Sequence, residues 1–270
     1  MKQTVKLPKI ALGAWAWGND GTFGKALTES DLRPIFDTAM QNGLNLWDTA
    51  YAYGMGTSEK MLAGFLKGLS RDSYYVSDKF TPQCADASSK TAMKDMIEMQ
   101  LKLMDLDHFD IYWIHNTWDA PKWTEELAKY FEGKEDVPLL GVSNHNLAEI
   151  KQADEILKAH GLKLSAVQNH YSLLSEDSGI MDYCRANDIY FFAYMVLEQG
   201  ALSGKYGTNS PMPEGSARAQ TYNPVLDKLD IMNAALKKLA DKYGVDAAQI
   251  PVAWAIAKGT LPIIGVTKTI

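Results

Sequence analysis

Short runs of almost unbroken apolar residues alternate along this chain with longer stretches whose apolar positions recur every three or four residues. The short runs predict strands at 9–18, 44–50, 74–80, 109–116, 137–144, 164–171, 190–197 and 261–266. Strands covered on both faces read as continuous apolar runs, as parallel strands under helices do. The longer stretches predict helices. Thr28 or Ser30 caps one, whose buried stripe is Leu32, Ile35, Phe36, Ala39 and Met40 and which Gly43 ends. Met96, Met99, Leu101, Leu103 and Met104 crowd a second, so much of its surface is expected to be covered. A third starts at Leu147 and ends near Gly161. Strand alternating with helix, eight times, fits a closed (β/α)8 TIM barrel over residues 1–270 better than an open sheet.

One stretch breaks the rhythm. Residues 200–224 are polar and rich in Gly, Ser and Pro. They are expected to form a long loop after the seventh strand, on the face where barrel active sites lie. No helix is expected after the eighth strand, which would leave apolar barrel surface uncovered unless the natural chain is longer.

Composition narrows the class only a little. An apolar share of 46% and a charged share of 22% are those of a soluble globular protein. A net charge of −6 with scattered basic residues speaks against nucleic acid as a partner. No apolar run is long enough to span a membrane, and the N-terminus lacks the pattern of a signal peptide. Two cysteines, Cys84 and Cys184, read as reduced thiols, so a cytoplasmic location is expected.

The chemistry lies at the predicted strand ends, where barrel enzymes place their catalytic groups. Asp48 and, beyond it, Tyr53 follow the second strand. Lys79 ends the third, His115 the fourth, Ser143-Asn144 the fifth and Gln168 the sixth. A lysine inside a barrel mouth needs an anionic partner, and Asp48 can supply it. A lysine cation beside Tyr53 is expected to lower the phenol's pKa toward the operating pH, as a general acid requires. His115 is placed to donate a hydrogen bond to a carbonyl. Each residue alone has a plainer reading as a cap, a packing group or a snorkelling cation, and the weight lies in the set. Trp15, Phe80 and Trp118 are expected to wall an apolar substrate pocket, with Trp17 and Tyr51 as weaker candidates.

The motif Asp48-Thr-Ala-x-x-Tyr53, Lys79 after an apolar strand and Ile114-His115 after the next resembles the aldo-keto reductases. The likeness continues in Gly141-Val-Ser-Asn144, Val167-Gln-Asn169, Phe192-Ala-Tyr194 and 199–206, in the family's order along nearly the whole chain. The resemblance implies NADPH (NADP+) as cofactor and a small carbonyl compound as substrate, reduced to an alcohol with Tyr53 as acid. It implies that Ser143, Asn144 and Gln168 hold the nicotinamide carboxamide and that Tyr194 stacks on its ring. Leu197, Gln199, Gly200 and Lys205 fall in the loop over the pyrophosphate. Gly265, Thr267 and Lys268 begin the grip on the 2′-phosphate. The family's further arginine, following helix and C-terminal loop have no counterpart here, so the expected preference for NADPH rests on the resemblance and on Lys268.

Two other readings stand beside it. One is a nucleotide-binding regulatory or redox-sensing subunit with little turnover. The other is a barrel lyase or hydrolase without nicotinamide, for which Ser143-Asn144, Gln168 and Tyr194 would be coincidence. Gly54-Met-Gly56 lacks the context of a dinucleotide fingerprint. The five histidines show no metal-ligand spacing. Cys84 has no evident activating base and is read as a bystander.

Overall fold

A computed structural model describes residues 7–23, 26–175 and 179–267. Eight parallel strands close into a barrel in sequence order: β1 (Ala11–Gly13), β2 (Leu46–Asp48), β3 (Tyr75–Phe80), β4 (Ile111–Ile114), β5 (Leu139–Ser143), β6 (Leu164–His170), β7 (Tyr190–Tyr194) and β8 (Leu261–Gly265). All eight lie within the predicted runs. The first is much shorter than expected, because the chain leaves the sheet after Gly13 and winds into a 3-10 turn at Trp15–Gly18. That turn packs directly on the backbone of Tyr53-Gly54: a Cβ on Gly54 would sit 1.9 Å from the Gly18 carbonyl oxygen. The glycine pair is therefore a close-approach device that pins the segment carrying Tyr53.

The helices are α1 (Glu29–Gln41), α2 (Thr57–Leu66), α3 (Ala92–Met104), α4 (Ala120–Phe131), α5 (Leu147–Ala159), α6 (Ile180–Ala186), α7 (Ala217–Tyr222), α8 (Leu226–Tyr243) and α9 (Gln249–Ala257). Thr28 caps α1 in a capping box with Asp31, and Asn146 does the same for α5 with Glu149. In α1, Leu32, Ile35, Phe36 and Ala39 are buried while Met40 is partly covered. In α3 the buried face is Met93, Met96, Ile97, Gln100 and Met104, with Met99, Leu101 and Leu103 partly covered.

The expected loop at 200–224 is more ordered than its composition implied. It begins inside an irregular 3-10 coil, Glu198–Ser203, and includes α7 and a 3-10 turn at Asn223–Val225. Ser216 caps α7, and Ala201, Met212, Ala219, Tyr222 and Leu229 gather into a small apolar cluster beneath it. A few well-spaced apolar residues were enough to fold a polar stretch.

Strand parity divides the rest. Side chains of one parity point into the barrel, and those of the other point to the helices. Ala11, Leu46, Ile111, Trp113, Ala166, Phe192, Leu261 and Ile263 plug the interior. Trp113 meets Phe192 edge to face at 5.1 Å, and its ring occupies the space a Cβ on Gly141 would need, 2.3 Å away. Burial of such large side chains stabilises the barrel by about 1.5–3 kcal/mol each. The opposite parity, including Trp47, Val76, Phe80, Tyr112, Ile114 and Phe191, joins the helices in the outer core.

Candidate active site

On top of the apolar plug lies a polar layer of the same parity. Asp48, Ser77, Lys79 and Gln168 are all buried there. Lys79 Nζ donates to Asp48 Oδ2 at 2.7 Å and to the Thr49 carbonyl at 2.6 Å. Asp48 Oδ1 accepts from Ser77 Oγ at 2.7 Å and from Gln168 Nε2 at 3.0 Å. Trp113 Nε1 in turn donates to Ser77 Oγ at 2.7 Å, tying the polar layer to the plug below. Burial lowers the Lys79 pKa, but Asp48 and Tyr53 together more than offset it and hold Lys79 above its ordinary value.

Tyr53 closes over this pair, with Lys79 Nζ 4.9 Å from its ring centroid. Here the structure corrects an expectation. Burial raises the Tyr53 pKa more than Lys79 lowers it, and the phenol is pushed up to about 12. Asp48, paired with the lysine at 2.7 Å, adds to the burial by opposing ionisation of the phenol. His115 meets Tyr53 edge to face at 5.8 Å. Burial, with the nearby Lys79 charge, pushes its imidazole down to about 3, so it is neutral at physiological pH. Its Nδ1 pairs with Thr81 Oγ1 at 2.7 Å.

A cleft of about 640 Å³ opens above these groups and runs across the barrel mouth. Asp48, Tyr53 and His115 line one part of it. Ser143, Asn144, Gln168 and Tyr194 line the next, followed by Leu197, Gln199, Gly200, Lys205, Gly265 and Thr267. Lys79 lies below its floor. Lys268 falls outside the described residues. Several of these side chains are already engaged, Asn144 and Gln168 among them. Asn144 donates to the His115 carbonyl at 2.9 Å and accepts from Tyr194 Oη at 2.5 Å, with its backbone in the left-handed region at φ 66°. Gln168 spends its amide N–H on Asp48.

Among the expected pocket aromatics, only Trp15 lines the cleft. It stacks beside Tyr53 at 5.8 Å and meets Phe23 edge-on at 5.1 Å. Its Nε1 donates to Asp20 at 2.8 Å. Phe80 does not line the cleft: next to inward Lys79 it points outward, fully buried against Trp123 at 4.8 Å. Trp118 is 63% exposed and lies outside the cleft lining. Trp17 is fully buried against Trp47 and Phe65, and Tyr51 is likewise absent from the lining. Cys84 is a partly buried free thiol whose pKa burial raises, so it carries no activated thiolate.

Several lining residues escaped the sequence reading. Arg218, from α7, sits over Tyr206 at 5.4 Å and donates to the Gln199 carbonyl at 3.2 Å. Its Nε is buried without a hydrogen-bond partner among the described residues. Lys205 flanks the same ring at 5.3 Å. Another cation besides Lys205 in a long polar stretch beside the predicted face was the available signal. Glu198 is a second. Buried below Gln199, it accepts from His170 Nε2 at 2.6 Å, from Tyr222 Oη at 2.6 Å and from Ser172 Oγ. It joins the end of β6 to α7, and nothing local in sequence announces that. Behind β3, on the helix side, Asp78 and Glu59 lie together in full burial. Burial and each other's charge hold Asp78 well above the usual carboxylate range, and burial pushes Glu59 up to about 6.

A closed eight-stranded barrel with an Asp–Lys–Tyr–His cluster at its mouth defines the class, and comparison with known proteins agrees. Residues 9–269 match the model of the aldo/keto reductase family, and the chain belongs to that family. It is 31% identical to a chloroplastic pyridoxal reductase of Arabidopsis thaliana, over 97% of this chain and 76% of the relative. It is 29% identical to a probable aldo-keto reductase of Glycine max, over 95% and 77%. A glycerol dehydrogenase structure from Gluconobacter oxydans superposes with a TM-score of 0.82 at 22% identity, covering 99% and 85% of the two chains. A Klebsiella pneumoniae aldo/keto reductase solved with NADP and acetate superposes with a TM-score of 0.72 at 22% identity, over 97% and 82%.

Proposed function

We propose that this protein is an NADPH-dependent reductase of small aldehydes or ketones, with Tyr53 as proton donor. The observation that carries the reading is the buried Asp48–Lys79 ion pair, 2.7 Å long, beneath Tyr53 and beside His115 at one part of a single elongated cleft. The rest of the cleft fits the cofactor. Ser143 and the free end of Gln168 face the stretch where a carboxamide would lie, and Tyr194 offers a ring face. Lys205 and Arg218, the latter with an unspent buried N–H, supply the cations a phosphate chain needs. NADPH bound there supplies hydride to the carbonyl carbon.

The chain's own groups do the rest. His115, neutral and at hydrogen-bonding reach of the cleft, orients the carbonyl oxygen. Tyr53 donates its proton to that oxygen as negative charge builds on it, and Lys79 stabilises the phenolate left behind. A phenol at about 12 is still far more acidic than an alcohol, so proton transfer runs downhill toward product. Both cysteines are free, which supports a reducing compartment such as the cytoplasm. No helix among the described residues is long and apolar enough to cross a membrane.

The test is Tyr53→Phe, assayed by NADPH oxidation with 4-nitrobenzaldehyde. Turnover is expected to fall by roughly 10²–10⁴-fold, with NADPH binding, read by nicotinamide fluorescence, unchanged. Full activity in the variant overturns Tyr53 as donor. Tight NADPH binding by a wild-type protein that turns over no carbonyl compound supports the regulatory-subunit reading instead.

A further inference from the structure

We infer that Thr81 is a positioning residue that fixes the tautomer of His115, so that Nε2–H faces the cleft. The inference rests on the reductase reading of the site. Thr81 follows β3 in the same parity as Lys79, is buried, and places Oγ1 2.7 Å from His115 Nδ1.

Hydrogen-bond accounting decides which atom donates. A neutral imidazole has one N–H and one bare nitrogen, and a hydroxyl both donates and accepts. If Nδ1–H donated to Thr81, the Thr81 O–H would need an acceptor of its own. Among the described residues Oγ1 has no partner other than His115. A buried hydroxyl hydrogen without an acceptor forfeits its solvation with nothing in return. The arrangement that satisfies both groups has Thr81 O–H donating to a bare Nδ1. The proton then sits on Nε2, the remaining nitrogen of a ring that lines the cleft. A donor is what a carbonyl oxygen requires, whereas the opposite tautomer would present a lone pair to a lone pair. The ring cannot solve the problem by taking a second proton, because burial and Lys79 hold it neutral. The His115 backbone is fixed independently by its N–H to the Phe80 carbonyl at 2.9 Å and by Asn144 on its carbonyl. The hydroxyl therefore selects the tautomer and not the backbone path.

The experiment is ¹⁵N NMR of histidine-labelled protein without cofactor, with the His115 signals assigned through His115→Asn. Wild type is expected to show a protonated Nε2 and a bare, hydrogen-bonded Nδ1. A proton on Nδ1 overturns the inference, whatever the enzyme's activity proves to be. Kinetics provide the second arm. Thr81→Val should lower kcat/KM for 4-nitrobenzaldehyde by roughly tenfold, the weight of one hydrogen bond, while NADPH affinity holds. Thr81→Ser should restore both the rate and the NMR signature. A valine variant with wild-type tautomer and rate, or a serine variant as slow as valine, overturns the assignment. A protein that turns over no aldehyde defeats the reductase reading while leaving the tautomer measurable.

Discussion

The two ends of the cleft are built by different means. At the β2–β4 end the reactive groups sit on or next to strands, where the ladder sets their spacing and parity sets their direction. Asp48, Ser77 and Lys79 are held by the same backbone bonds that close the barrel. At the β7–β8 end the cleft is covered by irregular backbone. Met195, Glu198 and Gln199 have φ of 59°, 48° and 52°, in the left-handed region that side chains rarely adopt. What holds that shape is one buried carboxylate, Glu198, with its three donors. The groups proposed for the chemistry are placed by the sheet, and the proposed cofactor seat is placed by a side-chain hub. Damage at each end should therefore look different.

The largest effect is expected at the sheet end. Lys79→Met strands Asp48 as a buried charge with only Ser77 and Gln168 as donors, and should cost about 3–5 kcal/mol of stability together with nearly all turnover. The Asp48→Asn, Lys79→Met double variant should regain most of the stability and none of the turnover, as urea midpoints and NADPH oxidation would show. Stability that stays low in the double variant would mean that the pair's packing, not its charge, supports the layer.

At the hub end, Glu198→Ala leaves Tyr222 as a buried donor without its acceptor and Ser172 with only Ser175 Oγ, 3.3 Å away, while half-exposed His170 can turn to water. The expected loss is about 1–3 kcal/mol of stability. NADPH affinity should fall by roughly tenfold, equivalent to ~1.4 kcal/mol, with turnover at saturating cofactor near that of wild type. Collapse of turnover with unchanged affinity would place Glu198 in the chemistry and erase the contrast between the two ends.

That contrast also separates what could be read from the sequence from what could not. Strands and their polar termini are local patterns, so the barrel and the Asp48, Tyr53, Lys79, His115 set were visible in the chain. Parity was visible too, and it decides two details. Once Lys79 points inward, Phe80 must point outward and Thr81 inward again; proximity to the site in sequence misplaced the first and passed over the second. Trp118 failed for a related reason, since following a strand end says nothing of direction. Charge balance was harder. The Tyr53 phenol depends on burial competing with a lysine already paired to Asp48, and that competition exists only in three dimensions. Glu198 and Arg218 reach their partners from segments 19–28 residues away in sequence, across a stretch that read as open loop.

The smallest expected effect lies behind the sheet end, at the Asp78–Glu59 pair. Both carboxyl groups are buried, and both have folded-state pKa values raised above their ordinary ones, Glu59 to about 6 and Asp78 well above the usual carboxylate range. An acid raised in the folded state holds its proton there while the unfolded chain has already released it. Folding is then unpenalised below the ordinary carboxylate range, and stability declines as pH climbs from about 4 through about 6 and beyond. Asp78→Asn removes one of the two competing charges, keeps an acceptor for the Lys79 backbone N–H that Asp78 Oδ1 now accepts at 2.8 Å, and offers Glu59 an N–H donor. The variant should therefore melt about 2–4 °C higher than wild type at pH 8, the equivalent of ~1 kcal/mol for a chain of this size, and gain little at pH 5. Thermal unfolding followed at both pH values decides it. A gain equal at both would assign the effect to packing, and a loss at pH 8 would mean that the pair's shared proton is itself part of what holds β3 against α2. Because Asp78 faces the helices and Lys79 the barrel interior, catalysis should be indifferent to the change, and any fall in turnover would show that the two sides of β3 are coupled through the strand.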